Sequence, residues 1–164
     1  MLFRSTEYQY TPLRIWDLQD GQSGKTQNID QPISAWTSDW RTLAHNHEVR
    51  WPYVFVSAYE DGLQVFNLKD PKKPVTEGHF YTCNCEHEKG FGGSLENGWQ
   101  SENSVMQGAF GIDVRNHDGL VVISDMRTGL WIFRMDGFTG WKGSDHGVPD
   151  ISSVQDWDRG PKAM

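Results

Sequence analysis

The sequence predicts an all-β fold of antiparallel sheets, and three observations lead to that prediction. The chain of 164 residues contains 8 Trp, 8 Phe, 5 Tyr and 17 Gly, which suits short strands and tight turns. No segment shows a sustained apolar period of the helical kind. A strand-like segment recurs three times, as "PLRIWDLQDG" at 12–21, "GLQVFNLKDP" at 62–71 and "GLWIFRMDGF" at 129–138.

The repeated unit is longer than these segments. "YVFVSAYEDGLQVF" at 53–66 aligns without gaps on "LVVISDMRTGLWIF" at 120–133. Upstream, "EVR" at 48–50 resembles "DVR" at 113–115, with two extra residues in the later copy. Each unit therefore predicts a strand, a second strand, a glycine-containing turn and a third strand. The middle unit adds a fourth strand in "PVTEGHFYT" at 74–82.

Four-stranded units of this length are typical of β-propeller blades, and a plain meander or sandwich with two similar hairpins is the alternative. We interpret residues 1–164 as a single propeller-type domain with about two complete blades and a partial one. The chain is expected to open around the third strand of a blade, at "LRIWDL". The predicted parts are a partial blade and loop at 1–43, a complete blade at 44–83, an inserted loop at 84–107, a second blade at 108–138 and an irregular tail at 139–164.

The chain resembles the LVIVD-repeat family of β-propellers. The resemblance is carried by "HNHEVRWPYVFVSAYEDGLQVFNLKDPKKPVTEGHF" at 45–80 and "GAFGIDVRNHDGLVVISDMRTGLWIFRMDGF" at 108–138. A His-Asn start, a Gly-Leu strand and an Asp-Pro corner occupy the places of that family's blades. The resemblance implies an exported protein, in the periplasm or at the cell surface. The start "MLFRSTEYQYTP" has no apolar signal-peptide core, so a cytoplasmic location is the alternative.

Charge and hydropathy argue against nucleic acid binding and against a transmembrane segment. The net charge of −7 repels a phosphate backbone, so we expect no nucleic acid binding. The longest apolar run is "LVVI" at 120–123, so we expect no transmembrane segment in this chain.

An incomplete ring of blades predicts a partner. Its outer blade faces carry Trp, Phe and Val, and burying such a face is worth several kcal/mol at about 25 cal/mol per Å². We therefore predict a non-catalytic binding or structural subunit, covered by other protein subunits or by missing blades. An accessory subunit of a respiratory or photosynthetic membrane complex fits this description. The predicted partner-binding residues are loop tryptophans, which in the alternative cap the local core: Trp36, Trp40, Trp99, Trp141 and Trp157.

A metal-binding or enzymatic propeller is the second hypothesis. His45 and His47 lie two apart, and Asp113 belongs to the corresponding region of the next unit, so the three side chains are candidates for a divalent metal at the channel mouth. "CNCEH" at 83–87 lacks the spacing for haem attachment. The simpler interpretation of Cys83 and Cys85 is a pair of loop thiols, a mixed metal site with His79 and His87 is the alternative, and the sequence leaves their redox state open. No nucleophile elbow, P-loop or Ser/His/Asp set is present, so no catalytic residue and no further cofactor is predicted.

Overall fold

The computed structural model describes the backbone of residues 2–4 and residues 13–38, 44–83 and 107–148 in full. These residues form three antiparallel sheets, none of which is closed. The helices in them are one turn at Gln19–Gln22 (α1) and a 3-10 turn at Gly143–His146. The predicted all-β, antiparallel class is therefore confirmed.

The strands follow one another in chain order within each sheet. The four strands predicted for the middle unit and the three predicted for the later unit are all present. The first sheet contains β1 (Leu2–Arg4), β2 (Leu13–Trp16) and β3 (Ser34–Trp36); the central sheet contains β4 (Asn46–Arg50), β5 (Tyr53–Ser57), β6 (Leu63–Asn67) and β7 (Val75–Phe80); the third sheet contains β8 (Ala109–Val114), β9 (Leu120–Asp125) and β10 (Gly129–Arg134).

The start of the chain differs from the prediction. A strand, β1, precedes the "LRIWDL" segment and pairs Leu2 with Trp16, the relation that Val54 has to Phe66 in the central sheet. The first sheet thus contains the counterparts of a second, third and fourth strand. Sequence reasoning missed β1 because a strand of three residues is too short to show alternation.

The repeated Gly-Leu pair has a backbone cause. Gly62 directly precedes β6 and Gly129 is the first residue of β10, and their φ angles are +66° and +89°. Such angles are costly for residues with a Cβ atom, so both turns favour glycine. At Gly62 an added Cβ would also lie 2.2 Å from the carbonyl oxygen of Phe80 at the end of β7, whereas nothing lies within 4 Å of that position at Gly129.

Strands β5 and β6 of the central sheet are buried on both sides, whereas β7 is largely exposed. Val54, Val56 and Phe66 pack against Leu13 and other residues of the first sheet. Phe55, Leu63 and Val65 on the opposite side pack against residues of the third sheet. Because successive strand residues point to opposite sides, a strand with apolar neighbours on both sides has an uninterrupted apolar run. This explains "YVFVS" at 53–57.

The three sheets stack in the same sense. Leu13 and Ile15 of β2 occupy the repeat positions of Leu63 and Val65 in β6. The first pair contacts the central sheet and the second pair contacts the third sheet, so each sheet turns the same side toward the sheet that follows it.

Candidate docking surface

The side of the central sheet that packs on the third sheet is here called the covered face. Its apolar members have almost no solvent exposure: Phe55 0%, Leu63 6% and Val65 4%. Two buried polar residues complete its inner part. The covered face consists of Glu48, Tyr53, Phe55, Ser57, Leu63 and Val65.

The third sheet presents the same six repeat positions to solvent. We call this set the open face. Leu130 and Ile132 are 67% and 60% exposed, and the other members are partly exposed. Val121 and Ile123, the β9 neighbours of Val122, point the other way into the core. The open face consists of Asp113, Leu120, Val122, Ser124, Leu130 and Ile132.

The first sheet gives a third instance of the same positions. Leu13 and Ile15 are both 0% exposed, because the central sheet covers them. The aliphatic pair of the repeat is thus buried by a following sheet in two of its three copies. In the described part of the chain, no sheet lies on the third copy, Leu130 and Ile132.

Hydrogen bonds fix the covered face to one carbonyl of β8. The oxygen of Phe110 accepts from His45 Nδ1 at 2.6 Å, from Asn46 Nδ2 at 2.9 Å and from Ser57 Oγ at 2.9 Å. Three donors on one acceptor set the position of β8 relative to β4 and β5, since each bond is directional. This is the contact that the His-Asn start of the repeat provides.

A buried ion pair lies at the other end of the same interface. Arg50 Nη1 donates to Glu48 Oε2 at 2.8 Å, and the two side chains are only 2% and 3% exposed. Arg50 Nη2 crosses to the third sheet and donates to the carbonyl of Val114 at 2.5 Å. The guanidinium carbon lies 5.8 Å from the ring centre of Trp141, within range of a cation–π contact. A buried pair needs such additional partners to offset its desolvation.

The counterpart arginine of the third sheet has a different partner. Arg115 aligns with Arg50, but its Nε and Nη2 donate to the two carboxylate oxygens of Asp118 at 2.7 and 2.6 Å. Arg134 Nη2 also donates to Asp118, at 2.9 Å. These bonds, first of all the one from Arg115, hold the pKa of Asp118 well below its usual range. The side chain of Arg115 is 43% exposed.

The three residues predicted to bind a metal do not form a ligand group. His45 donates to Phe110, His47 lies opposite Val56 in the central sheet, and Asp113 lies opposite Val122 in the third. Burial lowers the pKa of His47, although the neighbouring Glu48 carboxylate acts in the opposite direction. Among the residues described, no three His, Cys, Asp or Glu side chains are placed to hold a metal ion.

The predicted partner-binding tryptophans have different positions. Trp36 is only 6% exposed and stacks on Phe66 at 4.6 Å between ring centres, so in this structure it packs in the core, as in the alternative interpretation. Trp141 is partly buried between Arg50 and the ring of His146. Trp40, Trp99 and Trp157 lie outside the described residues. Of the open face, only Asp113 was a predicted site residue, and it was predicted as a metal ligand. The aliphatic pair Leu130 and Ile132 was not predicted, although the gap-free alignment of 53–66 on 120–133 contains the signal for it.

Cys83 is half of a disulfide, and its partner cysteine lies outside the described residues. The sequence left the redox state of Cys83 open, and the structure has it oxidised. A sulfur in a disulfide is not a thiolate, so Cys83 is not a metal ligand in this state.

The helices of the described residues are too short to cross a bilayer. No protein-family model, curated protein or solved structure matches the chain. Function must therefore be argued from the residues and their geometry.

Proposed function

We propose that the protein is a non-catalytic docking subunit whose open face packs against a further antiparallel β-sheet of a larger assembly. The observation that carries this proposal is the pair Leu130 and Ile132. The same repeat positions are buried by a following sheet in the first and central sheets, while this pair is 67% and 60% exposed. The proposed partner sheet resembles the central and third sheets, which bury these positions in the first two copies of the repeat.

The covering sides of the central and third sheets define that chemistry. Each is a flat surface of β-branched and aromatic side chains, with Val54, Val56 and Phe66 in one and Val121, Ile123 and Phe133 in the other. A sheet of this kind fills the grooves of an aliphatic face at interior packing density. An amphipathic helix or a lipid surface lacks the matching strand spacing.

The stacking also supports a propeller-type arrangement. In this proposal the three sheets are consecutive blades, and the partner sheet is the next blade of the ring. The resemblance to the LVIVD-repeat family supports the same arrangement. That family's exported character, together with the disulfide at Cys83, supports a place in an oxidising compartment at the cell envelope.

Photo-crosslinking from single positions tests the proposal. The photoreactive residue p-benzoylphenylalanine replaces Leu130 or Ile132 in the full chain, which is expressed in its own cells and irradiated. We expect a covalent adduct with one protein from both positions, in a peptide that belongs to a β-strand. The matched control is Val75, which is 60% exposed on β7 but outside the open face, and from which we expect no adduct with that protein.

A helical or lipid adduct, equal adducts from Val75, or a chain that stays uncrosslinked from both positions would contradict the proposal. As a second arm, Leu130→Asp together with Ile132→Asp is expected to abolish co-purification of the crosslinked protein. Circular dichroism and thermal unfolding check that this variant keeps its fold.

A further inference from the structure

The hydrogen bonds that cross from the covered face end on a single strand. Ser57 donates to the carbonyl of Phe110, and Arg50 donates to the carbonyl of Val114. Both acceptors belong to β8, four residues apart, and they lie on the first strand of the third sheet. The covered face therefore recognises its neighbour by two carbonyls of one strand as well as by apolar contact.

Both donors are repeated at the open face. Ser124 aligns with Ser57 in the gap-free alignment, and Arg115 aligns with Arg50 through the "DVR" and "EVR" segments. Asp113 occupies the position of Glu48, the carboxylate that pairs with Arg50. Two of the four donors that cross the covered interface, Ser57 and Arg50, thus have counterparts at the open face. The places of the other two, His45 and Asn46, hold Phe110 and Gly111 in the later copy.

The two extra residues of the later copy change the partner of the arginine. Two residues separate Arg50 from Tyr53, whereas four separate Arg115 from Leu120. The longer turn contains Asp118, which binds Arg115 by two hydrogen bonds at 2.7 and 2.6 Å. Arg115 is 43% exposed, so its pair with Asp118 is in contact with water and can exchange for another partner, while Arg134 continues to bind Asp118.

We infer that the partner sheet presents a first strand whose two backbone carbonyls, four residues apart, accept hydrogen bonds from Ser124 and Arg115. Arg115 leaves Asp118 on docking and takes the position that Arg50 has in the covered interface. This inference rests on the proposed function and specifies the element of the partner that the open face recognises. These two hydrogen bonds also set the register of the partner strand. Apolar contact alone would let that strand slide along the open face.

A second copy of this chain does not meet this requirement with its described residues. Its first sheet contains the counterparts of the second, third and fourth strands, since β1 pairs with β2 as β5 pairs with β6. That sheet offers no first-strand carbonyls in its described residues. The inferred partner element is a sheet with a first strand of its own.

Crosslinking from the two donor positions tests the inference. With p-benzoylphenylalanine at position 124 or at position 115, we expect adducts on one strand of the partner, at residues about four apart, as Phe110 and Val114 are from Ser57 and Arg50. Adducts on two different elements, on a helix, or on the first sheet of a second copy would overturn the inference. The proposed function would still hold if positions 130 and 132 crosslink to a β-sheet. If these two positions also fail to crosslink to a β-sheet, both the inference and the proposed function are overturned.

Binding of the crosslinked protein, once produced, gives a second readout. A lost hydrogen bond of about 1 kcal/mol corresponds to roughly a fivefold weaker Kd, which we expect for Ser124→Ala. Arg115→Gln is expected to weaken binding about tenfold or more, because a charged donor is lost. Asp118→Asn is expected to leave binding equal or tighter, since it releases Arg115. Unchanged Kd values for both Ser124→Ala and Arg115→Gln, or weaker binding by Asp118→Asn, would overturn the inferred register.

Discussion

The covered face of the central sheet and the open face of the third sheet carry the same repeat positions in opposite environments. Leu63 and Val65 are 6% and 4% exposed, and Leu130 and Ile132 are 67% and 60% exposed. The local strand geometry is the same, since β5 pairs with β6 in the register that β9 has with β10. The comparison teaches that the repeat specifies a strand and its facing residues, whereas burial depends on whether another sheet follows.

The largest expected difference between the two faces is at their arginines. Arg50→Ala leaves the carboxylate of Glu48 buried without its cation, so we expect a loss of about 3–5 kcal/mol in the free energy of unfolding. Arg115→Ala removes a pair that is partly in contact with water, and Arg134 still donates to Asp118, so the expected cost is only about 1 kcal/mol. Chemical denaturation of both variants measures the two losses, and similar losses would show that the arginines have similar environments.

The leucines give the next difference. Leu63→Ala opens a cavity between two packed sheets and is expected to cost about 2–5 kcal/mol. Leu130→Ala removes a side chain that is mostly in water, so we expect a change within about 0.5 kcal/mol. The same denaturation experiment measures both. A large cost for Leu130→Ala in the isolated chain would mean that the open face is already covered.

Substitutions at the two turn glycines separate the effect of β7, the strand whose end lies against Gly62. Gly62→Ala and Gly129→Ala both place a Cβ at positive φ, which costs about 1–2 kcal/mol. Gly62→Ala additionally brings that Cβ against the backbone of β7, so we expect a further loss that Gly129→Ala does not show. Thermal unfolding of the pair checks this order. Equal midpoints would indicate that the end of β7 moves aside easily.

The smallest expected effect is a pH dependence confined to the central sheet. His47 has a lowered pKa, because burial penalises its charged form, and Ile112 takes its place in the later copy. When the pH falls below about 6.5, the ordinary pKa of histidine, His47 binds more protons in the unfolded chain than in the folded chain. The free energy of unfolding therefore falls as the pH falls. His47→Ile is expected to lose this part of the pH dependence. Denaturation at pH 7.5 and pH 5 compares the two proteins, and identical pH profiles would contradict the assignment.

Much of the fold could be predicted from the sequence because a repeat constrains register as well as strand position. The equivalence of Ser57 with Ser124, for example, follows from an alignment without gaps. β1 could not be predicted, since three residues carry no alternation pattern. The all-β class needed only composition and the recurring strand.

The candidate site was harder to predict, because sequence shows residue types and not their neighbours. Trp36 has the composition of an interface residue, yet the sheet order places it on Phe66. His45 has the chemistry of a metal ligand, yet a carbonyl of the next sheet lies 2.6 Å from its Nδ1. In both cases the deciding contact comes from a segment far away in the chain.

Same-sense stacking gives the molecule two unlike ends. Under the proposed function, the open face packs against the covering side of another sheet, so a twofold dimer through two open faces is disfavoured. Head-to-tail contacts of this kind finish either as a closed ring or as an open filament, depending on the rotation from each sheet to the next. In an assembly of the proposed kind, the angle between neighbouring sheets would decide whether its size is fixed.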